Sequence, residues 1–419
     1  MADLPRSPAR RRWQGGASAA DRPGLRAVLV RPGYRRLWAA RTVSQAGDVV
    51  QFTTLALLVY SLTGSGLGVS GVVLAEIAPV LLLAPLAGPL VDRLPRVPVM
   101  VAADLFRLVL AAVLAVWHGD VGVVYAVAFG LSAGGVFFNP AAGSLLPTLV
   151  ADEELVAANS GIWSAAVLIQ VALAPVAGLL ATTAGFGWAF AVNAASFATS
   201  ALLLSGLRPG ETPRPVITAS IWAQGRAGWA LLGRDRLLRA LAVAQALAAL
   251  SAGATSALLV VLGAQRLQVT GTGTGYGLLL SAIGVGAFCG PLLLTRLGSG
   301  ARRPGVLVGA FGLRGVVDLL LATVTALPAA MGALVAYGLG TSAGNVTFPT
   351  LVQTHVAAEL RGRVFAGFDL IWQAMRLASL LLGGALADAL GIRAVFYAGG
   401  ALLLTAAITG ATSGRLRHG

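Results

Sequence analysis

The chain has 419 residues, of which 57% are hydrophobic and only 11% charged, and it carries a net charge of +14. A soluble domain has about 25% charged residues, so a fold of this size with so few cannot clothe itself for water, and its missing solvent is lipid. The positive charge is all arginine and sits in a few short segments, which excludes the continuous basic face that nucleic acid requires.

Residues 1–36 are polar and Arg-rich and include Arg10-Arg11-Arg12. No short apolar stretch with a small-residue cleavage site follows promptly, so they read as a disordered cytoplasmic tail on anionic lipid rather than a cleaved leader. A helix needs about 20 apolar residues to cross a bilayer. Runs of that kind predict six spans at 37–60, 68–91, 98–117, 121–146, 157–182 and 186–206. Six more follow at 237–263, 272–296, 304–324, 328–351, 363–386 and 392–412. The domain plan is then a bundle over 37–206, a connection over 207–236, a second bundle over 237–412 and a cytoplasmic tail over 413–419. In the connection, Pro209, Pro213 and Pro215 precede Trp222, Trp229, Leu231 and Leu232, which alternate with Gln224, Arg226 and Arg234. That pattern predicts a short helix lying in the cytoplasmic interface, with a structureless linker as the alternative.

With twelve spans, 25 of the 30 arginines fall on one side, only Arg266 and Arg393 on the other, and Arg107, Arg314 and Arg376 within spans. The positive-inside rule then places both termini in the cytoplasm and the protein in the plasma membrane.

The spans repeat. Gly88-Pro89-Leu90 recurs as Gly290-Pro291-Leu292, and Gly178, Leu180, Ala181 and Gly185 recur as Gly384, Leu386, Ala387 and Gly391. Asn139-Pro140 has a looser echo in Phe348-Pro349. Three matches in one order, each offset by just over two hundred residues, predict an all-α membrane protein built from two parallel six-helix bundles. A substrate site is expected between them near the midplane.

Ionisable groups inside spans are costly, so each is a functional candidate. Asp48, about 17 Å into the first span at 1.5 Å per residue, is a candidate to take and release a proton. Glu76 is a second proton-coupling candidate; it and Arg376 lie at similar depths, about 24 and 20 Å. Asp369, Gln373 and Arg376 share one helix face. Asp369 joins the proton-coupling candidates; Gln373 and Arg376 join the cavity candidates, with Gln45, Gln170, Gln245 and Asn345, polar groups that equally suit interhelical hydrogen bonds. Asp104 with Arg107, and Arg314 with Asp318, read as structural i+3 and i+4 pairs. His118, His355 and His418 lie apart from any carboxylate or cysteine cluster, Cys289 is single, and Gly271-Thr-Gly-Thr-Gly275 lacks the lysine of a phosphate loop. No metal, cofactor or enzymatic activity is expected.

The loop Gly88-Pro-Leu-Val-Asp92-Arg93-Leu-Pro-Arg96 resembles the one between the second and third helices of the major facilitator superfamily. Ser44-Gln-Ala-Gly47-Asp48, Leu58-Val-Tyr60-Ser-Leu-Thr63-Gly64-Ser65 and Glu359-Leu-Arg361-Gly362-Arg363-Val364 are similar to its enterobactin and macrolide exporters. The resemblance spans 33–412 and implies a gating role for Asp92, Arg93, Arg96, Arg361 and Arg363, as a latch on the cytoplasmic side. It also implies that the helices of Glu76 and Arg376 face each other, so the two are candidates to pair across the halves. The second half departs from the pattern, with Leu294 and Thr295 where the acid would stand, and Ala174-Pro175-Val-Ala-Gly178 only partly matches the antiporter motif. The resemblance implies a monomeric secondary transporter that exports small amphipathic molecules, coupled to protons. An uncoupled facilitator or importer, or a non-transporting sensor on the same fold, remains the alternative.

Overall fold

The computed structural model describes residues 25–91, 93–207, 233–267, 272–297, 304–356 and 358–412. The tail over 1–24, most of the connection and its expected interfacial helix lie outside these residues. The described residues are helical, with no strand among them. A short helix, α1 (Leu25–Leu29), precedes six long ones: α2 (Pro32–Thr63), α3 (Gly66–Val91), α4 (Arg96–Val116), α5 (Val121–Leu145), α6 (Leu155–Thr183) and α7 (Phe186–Ser205). The second set is α8 (Arg236–Ala257), α9 (Leu259–Gln265), α10 (Thr272–Leu297), α11 (Pro304–Leu321), α12 (Leu327–His355), α13 (Ala358–Leu390) and α14 (Ile392–Thr412).

Ten of these helices are long and apolar enough to cross a membrane. α11 and α12 complete the second set of six, because they occupy the places of α4 and α5. α4 packs on α5 and α7, and α11 packs on α12 and α14; α3 packs on α5 as α10 does on α12. α2 lies against α6 and α7, and α8 against α13 and α14. The major pairings of one half thus recur in the other, and the expected pair of six-helix bundles is present.

Local chemistry sets the helix ends. α2 starts with Pro32 in its first turn and stops at Gly64, whose φ of 63° returns its amide to the Tyr60 carbonyl. Asp120 caps α5 by accepting from the Val123 amide. The left-handed glycines Gly185 and Gly391 end α6 and α13, so the repeated motif read in the sequence is a repeated turn. The expected seventh span, 237–263, is broken at Leu258 between α8 and α9. Just before the break, the Ala254 amide donates to Ser379 Oγ of α13 at 2.8 Å and the Ser256 hydroxyl bonds back to the Ala252 carbonyl. Such competition for backbone groups bends helices.

The halves meet along α6 with α10 and α3 with α13. At one end of the bundle they share cores. One core joins Val49, Leu57, Val69 and Ala174 to Tyr276, Leu279, Ala387 and Phe396; another places Ala257 and Leu380 among residues of the first half. At the other end each half keeps its own core. One is built on Tyr34, Leu37, Met100 and Leu145, the other on Leu238, Phe311, Val352 and Phe368. The interface is therefore sealed at the end that carries the α2–α3 and α6–α7 turns and parted at the opposite end.

Candidate functional site

Two cavities flank the interface, one in each half. The first, of about 520 Å³, is lined by Asp48, Gln45, Glu76, Arg107, Asn139 and Gln170 among others. The second, of about 540 Å³, is lined by Gln245, Asn345, Asp369, Arg314 and Arg376, with walls of Phe311, Tyr337, Phe348, Phe365, Phe368 and Trp372. All the sequence candidates for the cavity except Gln373 therefore reach one of these two spaces. Gln373 instead holds a buried Oε1 that takes no hydrogen bond. The repeated prolines, Pro140 in α5 and Pro349 in α12, both line a cavity. A proline inside a helix removes a backbone hydrogen bond, so each cavity is bordered by a locally opened ladder.

Arg107, read from sequence as half of a structural pair, belongs to the first cavity. It does bond Asp104, as expected, and its Nη1 also lies 3.9 Å from Asp48 Oδ2 across the helix gap. The side chain is 6% exposed, while Asp48 is 41% exposed and faces the cavity. The guanidinium sits 4.8 Å from the centre of the Phe138 ring and 4.4 Å from that of Phe197, so two aromatic faces add cation–π attraction to the two acids. Gly134 makes room: a Cβ there would come within 2.6 Å of Arg107 Cγ. The sequence carried the signal in an arginine inside a span, but only the fold brings α2 and α4 together.

The second half repeats the arrangement with different partners. Arg314 is buried, its Nη2 donates to Tyr337 Oη at 2.9 Å, and its carbon lies 4.8 Å from that ring's centre. Gly340 clears its path as Gly134 does for Arg107. Asp318, expected to pair with Arg314, instead accepts from Ser251 Oγ at 3.2 Å and Thr255 Oγ1 at 3.3 Å. The Arg314 Nε is buried and takes no partner. The i+4 spacing allowed the pair, but tertiary hydroxyls and a tyrosine took both groups.

The Glu76–Arg376 pair is not formed as a direct contact. The ion pairs among the described residues are Arg31–Glu154, Arg107–Asp48, Arg107–Asp104 and Asp235–His355. Glu76 lines the first cavity and Arg376 the second. The expected depths were similar, but α3 and α13 touch nearer the sealed end, which leaves these two apart.

Of the expected latch, Asp92 lies outside the described residues. Arg93 is exposed in the turn before α4, Arg96 opens α4, and Arg361 and Arg363 fall in the first turns of α13. All four belong to the parted end.

A site that sequence reasoning missed lies at the sealed end. The Asp388 carboxylate, in the last turn of α13, accepts from Ser65 Oγ at 2.6 Å and from the amides of Gly66 at 2.7 Å and Leu67 at 3.1 Å. An acid in the last turn opposes its own helix dipole, and that was the signal.

Residues 26–418 match the family described as transmembrane secretion effectors. The chain is 29% identical over 377 residues to the multidrug efflux pump Tap of Mycolicibacterium fortuitum, across 86% of this chain and 90% of that one. It is 24% identical over 387 residues to the uncharacterized MFS-type transporter YvqJ of Bacillus subtilis (strain 168), across 90% of each. Its fold is similar to a bacterial homologue of the iron transporter ferroportin in an inward-facing state, with TM-score 0.69 and 19% identity over 91% of this chain and 98% of that one. It is also similar to the peptide transporter POT in complex with sulfate, with TM-score 0.71 and 15% identity over 92% and 94%. The chain thus belongs to the transmembrane secretion effector family of the major facilitator superfamily and is a multi-pass membrane transporter.

Proposed function

We propose that this transporter exports small amphipathic molecules by alternating access, in exchange for protons. The observation that carries the reading is the chemical division of the two cavities. Asp48 and Glu76 line the first beside Arg41 and Arg107, whereas six aromatic side chains line the second, with Arg314, Arg376 and one acid, Asp369. Acids within spans suit proton binding, and an aromatic pocket that also carries polar and charged side chains suits amphipathic solutes. The efflux assigned to Tap supports the outward direction. The arginine bias supports a plasma-membrane protein with both termini in the cytoplasm. The sealed end then faces outwards, the parted end inwards, and the latch of Asp92, Arg93, Arg96, Arg361 and Arg363 would close the inner side. The two bundles, 37–206 and 237–412, would rock about their interface in a single monomer.

The test is substrate efflux from loaded proteoliposomes under an imposed pH gradient, across a panel of amphipathic drugs and siderophores. Asp48→Asn and Glu76→Gln should weaken the dependence on the gradient by about tenfold or more while leaving substrate binding in place. Efflux with unchanged pH dependence in both variants would remove proton coupling and leave an uncoupled facilitator. Efflux of none of the panel would remove the substrate class.

A further inference from the structure

The sealed end is closed by two crossings that are copies of each other. In one, the second span of the first half (α3) meets the fifth span of the second half (α13), with Gly66 against Gly384. In the other, the second span of the second half (α10) meets the fifth span of the first half (α6), with Gly273 against Gly178. Asp388 and Thr182 hold matching places, four residues beyond Gly384 and Gly178. Their chemistry differs. The Thr182 hydroxyl donates to the Gly178 and Leu179 carbonyls of its own helix, and only its methyl group packs across the interface, beside Gly273. The Asp388 carboxylate reaches into the other half and takes the hydroxyl of Ser65 and the first amides of α3.

We propose that Asp388 is the releasable latch of the sealed end, a positioning residue that caps α3 in trans. The first amides of a helix have no partner within it, and an anion there also meets the positive end of the helix dipole. An acid from the opposite half therefore satisfies α3 only while the two halves touch. Asp388 is already exposed while the halves touch, and opening this end lets water take the place of the amides and of Ser65, so the contact can be broken and remade in each cycle. It rests on the transport reading for its purpose, but its test reads conformation, not transport.

On a Cys289→Ser background, spin labels at Gly119→Cys and Thr325→Cys sit in exposed turns of opposite halves at the sealed end. Distance distributions by electron–electron resonance would be measured on the full chain in nanodiscs. Asp388→Ala should raise the ratio of separated to closed populations by about tenfold or more, as expected for loss of charge-assisted bonds. Ser65→Ala should raise it less, and it keeps the question answerable if Asp388→Ala fails to fold. Thr182→Val, which keeps the methyl beside Gly273 and removes only the hydroxyl, should leave the ratio unchanged. An unchanged ratio in both Asp388→Ala and Ser65→Ala, or an equal shift in Thr182→Val, would overturn the latch. Failure of export in proteoliposomes, with the expected population shifts intact, would sink the transport reading and spare the latch.

Discussion

Gly178 and Gly384 occupy matching places in the two repeats, yet their crossings, with Gly273 and with Gly66, differ in how closely the helices approach. A Cβ on Gly178 would overlap the Gly273 carbonyl itself, so that crossing is backbone on backbone. A Cβ on Gly66 would meet the Ala387 side chain at 2.9 Å, a looser fit, and there the carboxylate supplies the hold. The buried arginines differ in the same way. Arg107 sits between two acids, whereas Arg314 leans on a tyrosine while only one oxygen of its acid, Asp318 Oδ2, takes hydroxyls. Duplication produced one scaffold, and each half then settled its buried charges separately. Small residues that let backbones touch drive association in lipid, where no hydrophobic effect acts between helices.

The arginine comparison should break first and most strongly. Arg107→Met strips the counter-charge from buried Asp104 and should cost about 3–5 kcal/mol, the penalty of an uncompensated buried ion. Arg314→Met leaves Asp318 with Ser251 and Thr255 and should cost about 1–3 kcal/mol. Unfolding midpoints in detergent check both, and equal losses would erase the contrast between the halves. The glycine comparison comes next. Gly178→Ala forces two backbones apart and should cost about 1–3 kcal/mol in the sealed state. Gly66→Ala should cost less, because its Cβ would meet the Ala387 methyl at 2.9 Å rather than overlap a backbone carbonyl. The populations of sealed and separated forms, read by the spin-label pair, decide between them.

The smallest effect is expected at the parted end, where the two halves tie the start of their first long helix with opposite polarity. The first half uses Arg31 on Glu154 at 2.6 Å; the second uses Asp235, which caps α8 and meets His355 at 3.0 Å. Partial burial raises the proton affinity of Asp235, but the His355 ring and the amides of Leu238 and Leu237 outweigh it and hold the carboxyl below the usual aspartate range. A depressed carboxylate stabilises the fold above its unfolded pKa of about 3.9, and that contribution is lost as pH falls through the folded value. Asp235→Ala should therefore cost about 1 kcal/mol near neutral pH. The cost should fade in acid below the usual aspartate range. A cost that stays constant with pH would assign the whole effect to packing.

Composition and the spacing of apolar runs were enough to specify a helical membrane protein of two parallel bundles, because a bilayer admits few other solutions. The Gly185 and Gly391 turns and the positions of Asp48, Glu76 and Asp369 inside spans were legible for the same reason: a left-handed turn and a charge in lipid both restrict residue choice sharply. Partners were not legible. The i+4 spacing of Arg314 and Asp318 allowed a pair that the fold did not make, and similar depths for Glu76 and Arg376 did not bring them into contact. Asp48 meets Arg107, and Asp388 meets Ser65, only because helices far apart in the chain cross at set heights. Local pattern determines which residues enter the membrane and on which face. Which of them touch is decided by the close packing of glycines between helices, a property of the assembled bundle that no single segment contains.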